Sequence, residues 1–256
     1  MCTLVILRRP DHAWPVIIAA NRDEMVDRPW LPPARHWADR AEVVAGLDET
    51  AGGTWLGVND YGVVAAVLNR RNSLGPREGL RSRGELPLEA LDHGDAASAA
   101  EALAHIAPAA YRSFNLVIVD ARNAFLLTSR FGGDMGADLP PIEVQEIPTG
   151  VSMITASDLN DASSPRIRNF LPKFQTVAAP DPASGDWAAW KALVESRVRD
   201  AASPPEAAMN IVTETGFGTV CSSLIGLAAA DSAPSCLIWQ FAPGRPDESE
   251  FESVEF

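Results

Sequence analysis

The second residue of the chain is a cysteine, directly after Met1, and it is the side chain best suited to chemistry. If Met1 is removed, Cys2 becomes the N-terminal residue and carries a thiol and a free α-amine together. An α-amine has a pKa of roughly 7.7–8.0, so a good part of it is neutral near physiological pH. Such an amine can accept the proton of its own thiol, which combines nucleophile and general base in one residue. The alternative is a small buried cysteine at the start of an edge strand.

A carboxylate is expected beside this cysteine. The apolar run that follows Cys2 and a second run at Val16–Ala20 predict an antiparallel hairpin, which ends in Asn21-Arg22-Asp23-Glu24. Because a hairpin brings its two ends together, Asp23 can hold the α-ammonium of Cys2; the alternative is an Asx turn cap. Strand alternation predicts that Arg22 and Glu24 lie on the opposite face as an ion pair.

Other side chains could bind a substrate or stabilise its reaction. Asn69, at the end of another predicted hairpin, can donate its amide to a developing oxyanion; the alternative is a plain strand-end asparagine. Five of the 21 basic residues follow it in the loop Asn69–Gly84, and they predict either an anion site or a solvated loop paired with acids. These are Arg70, Arg71, Arg77, Arg81 and Arg83. Four tryptophans, Trp14, Trp30, Trp37 and Trp55, either wall an apolar ligand or belong to the core.

Composition narrows the class of protein. With 256 residues, 46% of them hydrophobic, one domain over 1–256 is expected. The net charge of −13 argues against a nucleic-acid partner, and no apolar run approaches the roughly 20 residues of a membrane-spanning helix. Three widely spaced cysteines do not suggest a disulfide framework, so a cytoplasmic location is expected. The four histidines have no metal-ligand spacing, and no metal or other cofactor is expected.

Periodicity predicts alternating groups of strands and helices, which is typical of an α+β fold. Ser164-Pro165 is expected to begin one helix and Asp186 to cap another. Strands are predicted at Val16–Ala20, Val43–Ala45, Thr54–Val58, Val63–Leu68, Asn115–Asp120, Ala124–Ser129, Ile142–Ile147, Val151–Thr155, Thr219–Leu227 and Ser235–Phe241. Helices are predicted at Leu86–Leu91, Ala96–Ile106, after Ser164-Pro165 and at Trp187–Ala201.

Several ordered motifs resemble those of the NRDE, or transport and Golgi organisation, family. They are the initial Met-Cys-Thr, Asn21-Arg22-Asp23-Glu24, Gly52–Gly57, Leu68–Arg71, Ser82–Pro87, Phe114–Val117 and Gly218–Leu224. That family in turn resembles a branch of the N-terminal nucleophile hydrolases. The resemblance implies a four-layer αββα sandwich of two mostly antiparallel sheets. It also implies Cys2 as nucleophile, Asp23 as its carboxylate and Asn69 as oxyanion donor.

Not every hydrolase position has a counterpart. Ala20 stands where those hydrolases carry an arginine, with Arg22 two residues later, and Ala156 stands where they carry an asparagine. A late-strand arginine has no clear match around Val220–Ser223. The residues that remain as candidate substrate contacts are Asn21, Arg22, Trp55, Arg70, Arg71 and Arg83.

Two functions of different classes follow. One is a Cys-dependent amidohydrolase that cleaves a C–N amide or a related acyl bond. The other is a carrier or chaperone on the same scaffold for a small amphipathic ligand, such as an acyl-CoA, another lipid or haem. Links of the family to secretory organisation, lipid metabolism and haem handling suggest the second. The sequence leaves the oligomeric state open.

Overall fold

The computed structural model describes residues 2–130, 140–229 and 237–256, which divide into two compact units. The first unit comprises Met1–Arg28 and Pro148–Val254, and the second comprises Pro29–Ile147 with Glu255–Phe256. The expectation of one domain over 1–256 stays a prediction.

Strands and helices alternate in groups along the chain. The strands are β1 (Thr3–Arg8), β2 (Val16–Met25), β3 (Trp30–Ala34), β4 (Val43–Asp48), β5 (Leu56–Asn59), β6 (Val64–Asn69), β7 (Phe114–Val119), β8 (Ala124–Ser129), β9 (Glu143–Glu146), β10 (Gly150–Ile154), β11 (Phe217–Leu227), β12 (Leu237–Ala242) and β13 (Glu252–Ser253). The helices are α1 (Glu85–Leu91), α2 (Ala96–Ala104), α3 (Pro165–Thr176) and α4 (Ala188–Val194), with short 3₁₀ turns at Pro108–Ala110 and Pro205–Ala207.

The sheet of the first unit has six strands in the order β10-β1-β2-β11-β12-β13, and every neighbouring pair is antiparallel. Cys2 directly precedes β1, Asp23 lies near the end of β2, and the Gly218–Leu224 motif lies within β11. Odd-numbered residues of β1 and β2, such as Val5 and Ile17, are buried in one cluster with Phe170, Phe174 and Trp190 from α3 and α4. The two helices therefore cover the face of the sheet to which those residues point.

The sheet of the second unit runs in sequence order from β3 to β9, again with antiparallel neighbours throughout. Leu86 and Leu91 of α1 and Leu103 of α2 are buried with Ala65 and Leu116 of the sheet. One face of this sheet is thus covered by α1 and α2, in the same manner as in the first unit.

Two sequence motifs meet in the second unit. Gly53 and Gly84 approach so closely that a Cβ at Gly53 would lie 2.4 Å from the carbonyl carbon of Gly84. Thr54 N donates to Gly84 O at 2.9 Å at the same point. Only glycine permits this close contact between the two backbones. The contact fixes the start of α1 against the segment that leads into β5.

Most predicted elements are confirmed, including the α+β class, the antiparallel hairpins, and the start of α3 with Ser164 at the N-cap and Pro165 first. Three expectations need correction. The second strand continues through Met25, so the Asn21–Glu24 tetrapeptide lies within β2. The helix predicted at Trp187–Ala201 ends at Val194, the last buried apolar residue of its stripe. The N-cap of that helix is Trp187 and not Asp186, although Asp186 Oδ1 still accepts from Ala188 N at 3.1 Å. Apart from these corrections, the Pro-rich segment forms the edge strand β3, where proline is tolerated.

Two smaller differences concern the end of the chain. The acidic tail contributes the short strand β13, which pairs with β12 through Gln240 and Ser253. The predicted strand at Ser235–Phe241 is observed from Leu237 onward, and its first two residues, Ser235 and Cys236, lie outside the described residues.

Candidate active site

Cys2 lies immediately before β1, a strand that pairs with β10 on one side and β2 on the other. The pairing of Thr3 with Asn21 places Cys2 across from Arg22. Its Sγ lies 3.8 Å from the backbone oxygen of Asp23, to which the thiol donates. Cys2 as a whole residue is half-buried, at the entrance to a strand inside the sheet.

The Asp23 carboxylate is fully enclosed in a hydrogen-bonded network. Arg166 Nη1 donates to Asp23 Oδ2 at 2.8 Å, and Thr219 Oγ1 donates to Asp23 Oδ1 at 2.7 Å. The same Nη1 also donates to Thr3 Oγ1, and Arg166 Nε donates to the carbonyl oxygen of Glu206 at 2.9 Å. The carboxylate and the guanidinium are therefore paired in a place where an unpaired charge would be very costly.

Arg166 belongs to this site but was not among the site residues predicted from the sequence. It lies in the first turn of α3, directly after Pro165, where the helix dipole disfavours a positive charge. A basic residue in that position was the available signal, because it implies an acidic partner elsewhere. The partner is Asp23, which is 143 residues away in sequence.

The two faces of the sheet carry different groups. Residues paired across neighbouring strands share a face, so the pairing of Cys221 with Arg22, together with the position of Cys2, places these three side chains on one face. Asp23 points to the other face, toward α3. The expectation that the Asp23 side chain, and not Arg22, lies on the Cys2 face was wrong, because the register of β1 and β2 aligns Cys2 with Arg22.

A β-bulge in β11 produces this arrangement. Thr219 pairs with Asp23 and Cys221 pairs with Arg22, so Val220 is the extra residue. Without the bulge, Thr219 and Cys221 would point to the same face. With it, the Thr219 hydroxyl reaches Asp23 while Cys221 lies on the face of Cys2.

Both cysteines of this face have raised pKa values. Burial raises the pKa of the Cys2 thiol and the charge of Asp23 adds to this effect, while the N-terminal ammonium and Arg22 oppose it. Burial also raises the pKa of Cys221, which is 1% exposed. A thiol of this kind needs a base to become a nucleophile.

Asn21 and Glu24, the other two members of the tetrapeptide, have structural contacts. Asn21 Nδ2 donates to the carbonyl oxygens of Val194 and Met209, each at 3.0 Å, and its Oδ1 accepts from Ser222 Oγ at 2.8 Å. The buried amide of Asn21, expected to contact a substrate, thus holds the end of α4 against the sheet. Glu24 forms its ion pair with Arg28, at 3.8 Å.

The second unit contains the other predicted site residues. Asn69 is half-buried at the last position of β6, paired with Phe114. Arg70 donates to Asn115 Oδ1 at 2.7 Å. Arg83 Nη1 donates to Ser73 O, Ser73 Oγ and Ser113 O, at 2.7, 2.9 and 3.1 Å. Arg83 therefore fixes the backbone of the arginine loop.

The remaining arginines of this loop differ from one another. Arg81 forms ion pairs with Glu85 and Glu89 at 2.5 and 2.7 Å, in agreement with the alternative of a loop paired with acids. Arg71 and Arg77 are exposed. Arg81 is exposed as well, so solvent reaches all three of these side chains.

Trp55 packs edge-on against Trp30, with ring centroids 5.7 Å apart. A Cβ at Gly46 would lie 2.2 Å from the Trp55 ring, so glycine is required beneath it. Trp14 by contrast is buried in the core of the first unit, which supports the core alternative for that residue.

Within residues 2–130, 140–229 and 237–256, no three His, Cys, Asp or Glu side chains are grouped so that they could hold a metal ion. In the same part of the chain, no helix combines the length and apolar character that crossing a bilayer requires.

The fold is that of the N-terminal nucleophile hydrolases. Penicillin V acylase from Agrobacterium tumefaciens matches with a TM-score of 0.51 at 12% identity, covering 100% of this chain and 98% of that one. The N-acylethanolamine-hydrolyzing acid amidase ortholog of Caenorhabditis elegans matches with a TM-score of 0.50 at 12% identity, covering 99% and 100%. At these identities the likeness establishes the fold alone.

The chain belongs to the Transport and Golgi organisation 2 family, whose model matches residues 1–228. The mouse Transport and Golgi organization 2 homolog is 42% identical over 80 residues, which cover 29% of this chain and 28% of that protein. The bovine homolog is 37% identical over 118 residues, covering 43% and 40%. The matched stretches thus span less than half of either relative.

Proposed function

We propose that this chain is an N-terminal-cysteine nucleophile hydrolase that cleaves an amide or related acyl bond. The observation that carries the proposal is the placement of Cys2, half-buried at the start of a strand inside the sheet, with its thiol directed to the Asp23 backbone. The fold supports it, because the two solved structures reported above are named as an acylase and an amidase.

The reaction follows from the groups on Cys2 once Met1 has been removed. The thiol sulfur attacks the substrate carbonyl carbon while the α-amine takes the thiol proton, and the carbonyl electrons move onto oxygen. The family resemblance proposes Asn69 as the donor to that oxyanion. When the tetrahedral intermediate collapses, the C–N bond breaks and the α-ammonium returns the proton to the leaving nitrogen. Water then attacks the thioester with the same amine as base, which releases the acid and restores the thiol.

In the described part of the first unit no imidazole lies beside Cys2, and the α-amine is therefore the base that we propose. His12, the histidine of that unit, lies in the turn between β1 and β2, at the opposite end of the hairpin from Cys2. The raised pKa of the Cys2 thiol makes a base more necessary still. Proton transfer within one residue removes the requirement for a second side chain.

The neighbours of Cys2 have distinct roles in this proposal. Asp23 orients the nucleophile through its backbone oxygen, while its carboxylate anchors the strand end through Arg166. Arg22, which is buried on the Cys2 face, supplies positive charge beside the thiol and remains a proposed substrate contact. Trp55, Arg70 and Arg71 remain the proposed ligand contacts of the second unit.

Differential labelling tests the proposal. Limiting iodoacetamide followed by peptide mapping should modify Cys2 well before Cys221, because Cys221 is 1% exposed. A panel of amide and thioester substrates should be hydrolysed, and Cys2→Ala should abolish turnover. Cys221→Ala is the matched control and should retain activity. An unreactive Cys2 with no turnover on the panel would refute the hydrolase.

The second candidate is a carrier for an acyl-CoA, another lipid or haem. The observation in its favour is that burial raises the pKa of the Cys2 thiol, because a thiol with a raised pKa forms less of the nucleophilic thiolate. Apolar-ligand binding that survives in Cys2→Ala, together with no turnover, would favour the carrier.

A further inference from the structure

Arg166 contacts both chain segments that flank Cys2. Its Nη1 donates to Thr3 Oγ1, and Thr3 is bonded directly to Cys2. The same nitrogen donates to Asp23 Oδ2 at 2.8 Å, and the backbone oxygen of Asp23 accepts from the Cys2 thiol. One guanidinium nitrogen thus holds the residue after Cys2 and the residue against which Cys2 lies.

The guanidinium is itself fixed in place. Its Nε donates to the carbonyl oxygen of Glu206 in the 3₁₀ turn Pro205–Ala207, and its Cα belongs to the first turn of α3. The Arg166 side chain is 3% exposed, so water does not compete for these contacts. Since a planar guanidinium presents its donors in a fixed fork, the contacts define one position for the start of β1.

We propose that Arg166 is a positioning residue for the Cys2 nucleophile, acting through Thr3 and Asp23 and not by contact with the substrate. This proposal rests on the proposed role of Cys2. The residue that anchors the start of β1 therefore belongs to helix α3 and not to strand β2 or β11. Arg22 occupies the opposite face, beside Cys2 and Cys221.

The test is the pH profile of Cys2 alkylation in the purified full chain, with Cys221 as internal reference. Burial is the main cause of the raised Cys2 pKa, and Asp23 and Arg22 are the charged side chains that act on the thiol. Arg166→Met should release the strand end to water, so the midpoint of Cys2 alkylation should fall by about one pH unit, or about tenfold more thiolate below the midpoint. Cys221 should stay protected, and turnover should fall although the thiol is more reactive.

Two further variants serve as controls for this measurement. Arg168→Met changes an exposed arginine two residues along the same helix and should leave the midpoint unchanged. Arg166→Lys keeps the charge beside Asp23, but a single ammonium cannot reach Thr3, Asp23 and Glu206 together, so a smaller fall in midpoint is expected. If Arg166→Met does not fold, the Arg166→Lys midpoint decides the question.

Three outcomes would overturn the proposal. The first is an unchanged midpoint of Cys2 alkylation in a variant that folds cooperatively. The second is a rise in that midpoint, which would make Arg166 a counter-charge only. The third is a simultaneous rise in the labelling of Cys2 and Cys221, which would indicate a general loosening of the fold. The measurement does not depend on turnover. A fallen midpoint in a protein that hydrolyses no acyl substrate would therefore leave Arg166 as the anchor of Cys2 while the proposed hydrolase function fails.

Discussion

Arg166 and Asp23 form an ion pair 2.8 Å long whose side chains are 3% and 0% exposed. The pair joins the first turn of α3 to β2, and thereby links chain segments 143 residues apart in sequence. Since breaking a buried pair leaves an uncompensated charge, removal of one partner should be much more damaging than removal of a surface charge.

Asp23→Asn should therefore lower the free energy of unfolding by about 3–5 kcal/mol. Glu24→Gln is the matched control, since Glu24 is the next residue and pairs with Arg28 only at 3.8 Å in a partly exposed position. The control should lose no more than about 1 kcal/mol. Urea denaturation of both variants checks this. Equal losses would show that the Asp23 charge contributes nothing beyond that of its neighbour.

Asn69→Ala should reduce turnover by about 10²–10³-fold with little change in stability, as expected for loss of an oxyanion donor. Asn59→Ala provides the contrast. Asn59 is 3% exposed, and its Nδ2 donates to Leu91 O and His93 O, each at 2.8 Å. Its loss should cost about 1–3 kcal/mol of stability. Steady-state kinetics and thermal melts separate the two effects, and normal turnover in Asn69→Ala would exclude that residue as oxyanion donor.

The sequence predicts local features of this protein better than it predicts the site. The β8 boundaries and the Ser164-Pro165 helix start follow from residue alternation and from the fixed φ of proline, both of which are local. The Asp23–Arg166 pair could not be located in this way, because it depends on how α3 packs across the sheet. The assignment of Arg22 to the face of Cys2 depends on a single step of strand register, which the sequence does not specify.

The end of α4 shows the same limit. Helix propensity favours continuation beyond Val194, through Glu195 and Arg197. The structure stops the helix there because Asn21 binds the Val194 carbonyl from the neighbouring strand and Asn210 binds that of Glu195 at 3.4 Å. Contacts from distant residues thus override a local preference.

If the arginine loop binds anions, an acyl-CoA should raise the melting temperature, by the equivalent of about 2.7 kcal/mol at a hundredfold excess over Kd. Arg71→Glu should remove that rise and change the melting temperature of the free protein by only a small amount, because Arg71 is exposed. Arg83→Met should instead lower the melting temperature of the free protein, since it strips donors from Ser73 and Ser113.

Arg168→Glu replaces an exposed arginine of the first unit and serves as the control for net charge in the same experiment. If the ligand-induced rise is equally lost in Arg168→Glu, the effect is one of overall charge and the loop is not the site.

Tyr111→Phe should make the protein more resistant to alkali. Burial, together with Glu89, raises the pKa of Tyr111 to about 12 in the folded chain, from about 10 when unfolded. The folded state therefore binds the phenolic proton more tightly, and stability falls as the pH rises from about 10 to about 12, by up to about 2 kcal/mol. Urea midpoints across this window should decline less steeply in Tyr111→Phe. Parallel declines would show that Tyr111 titrates at its ordinary pKa.

The final prediction is that the active form begins at Cys2. Intact-mass measurement of native protein should give a mass lower by one methionine residue than that of the translated chain.

A cleavable fusion that exposes Cys2 directly should alkylate at Cys2 rapidly and hydrolyse the substrate panel. The same fusion with one glycine before Cys2 separates the α-amine from the thiol residue and should lose turnover, because the base is no longer on the nucleophile. Its thiol should also react more slowly. Burial raises the Cys2 pKa, and in this fusion no amine on the same residue accepts the thiol proton. Retained Met1 in the bulk of native protein, or equal turnover of the two fusions, would remove the self-activating mechanism and leave the carrier as the better account of this fold.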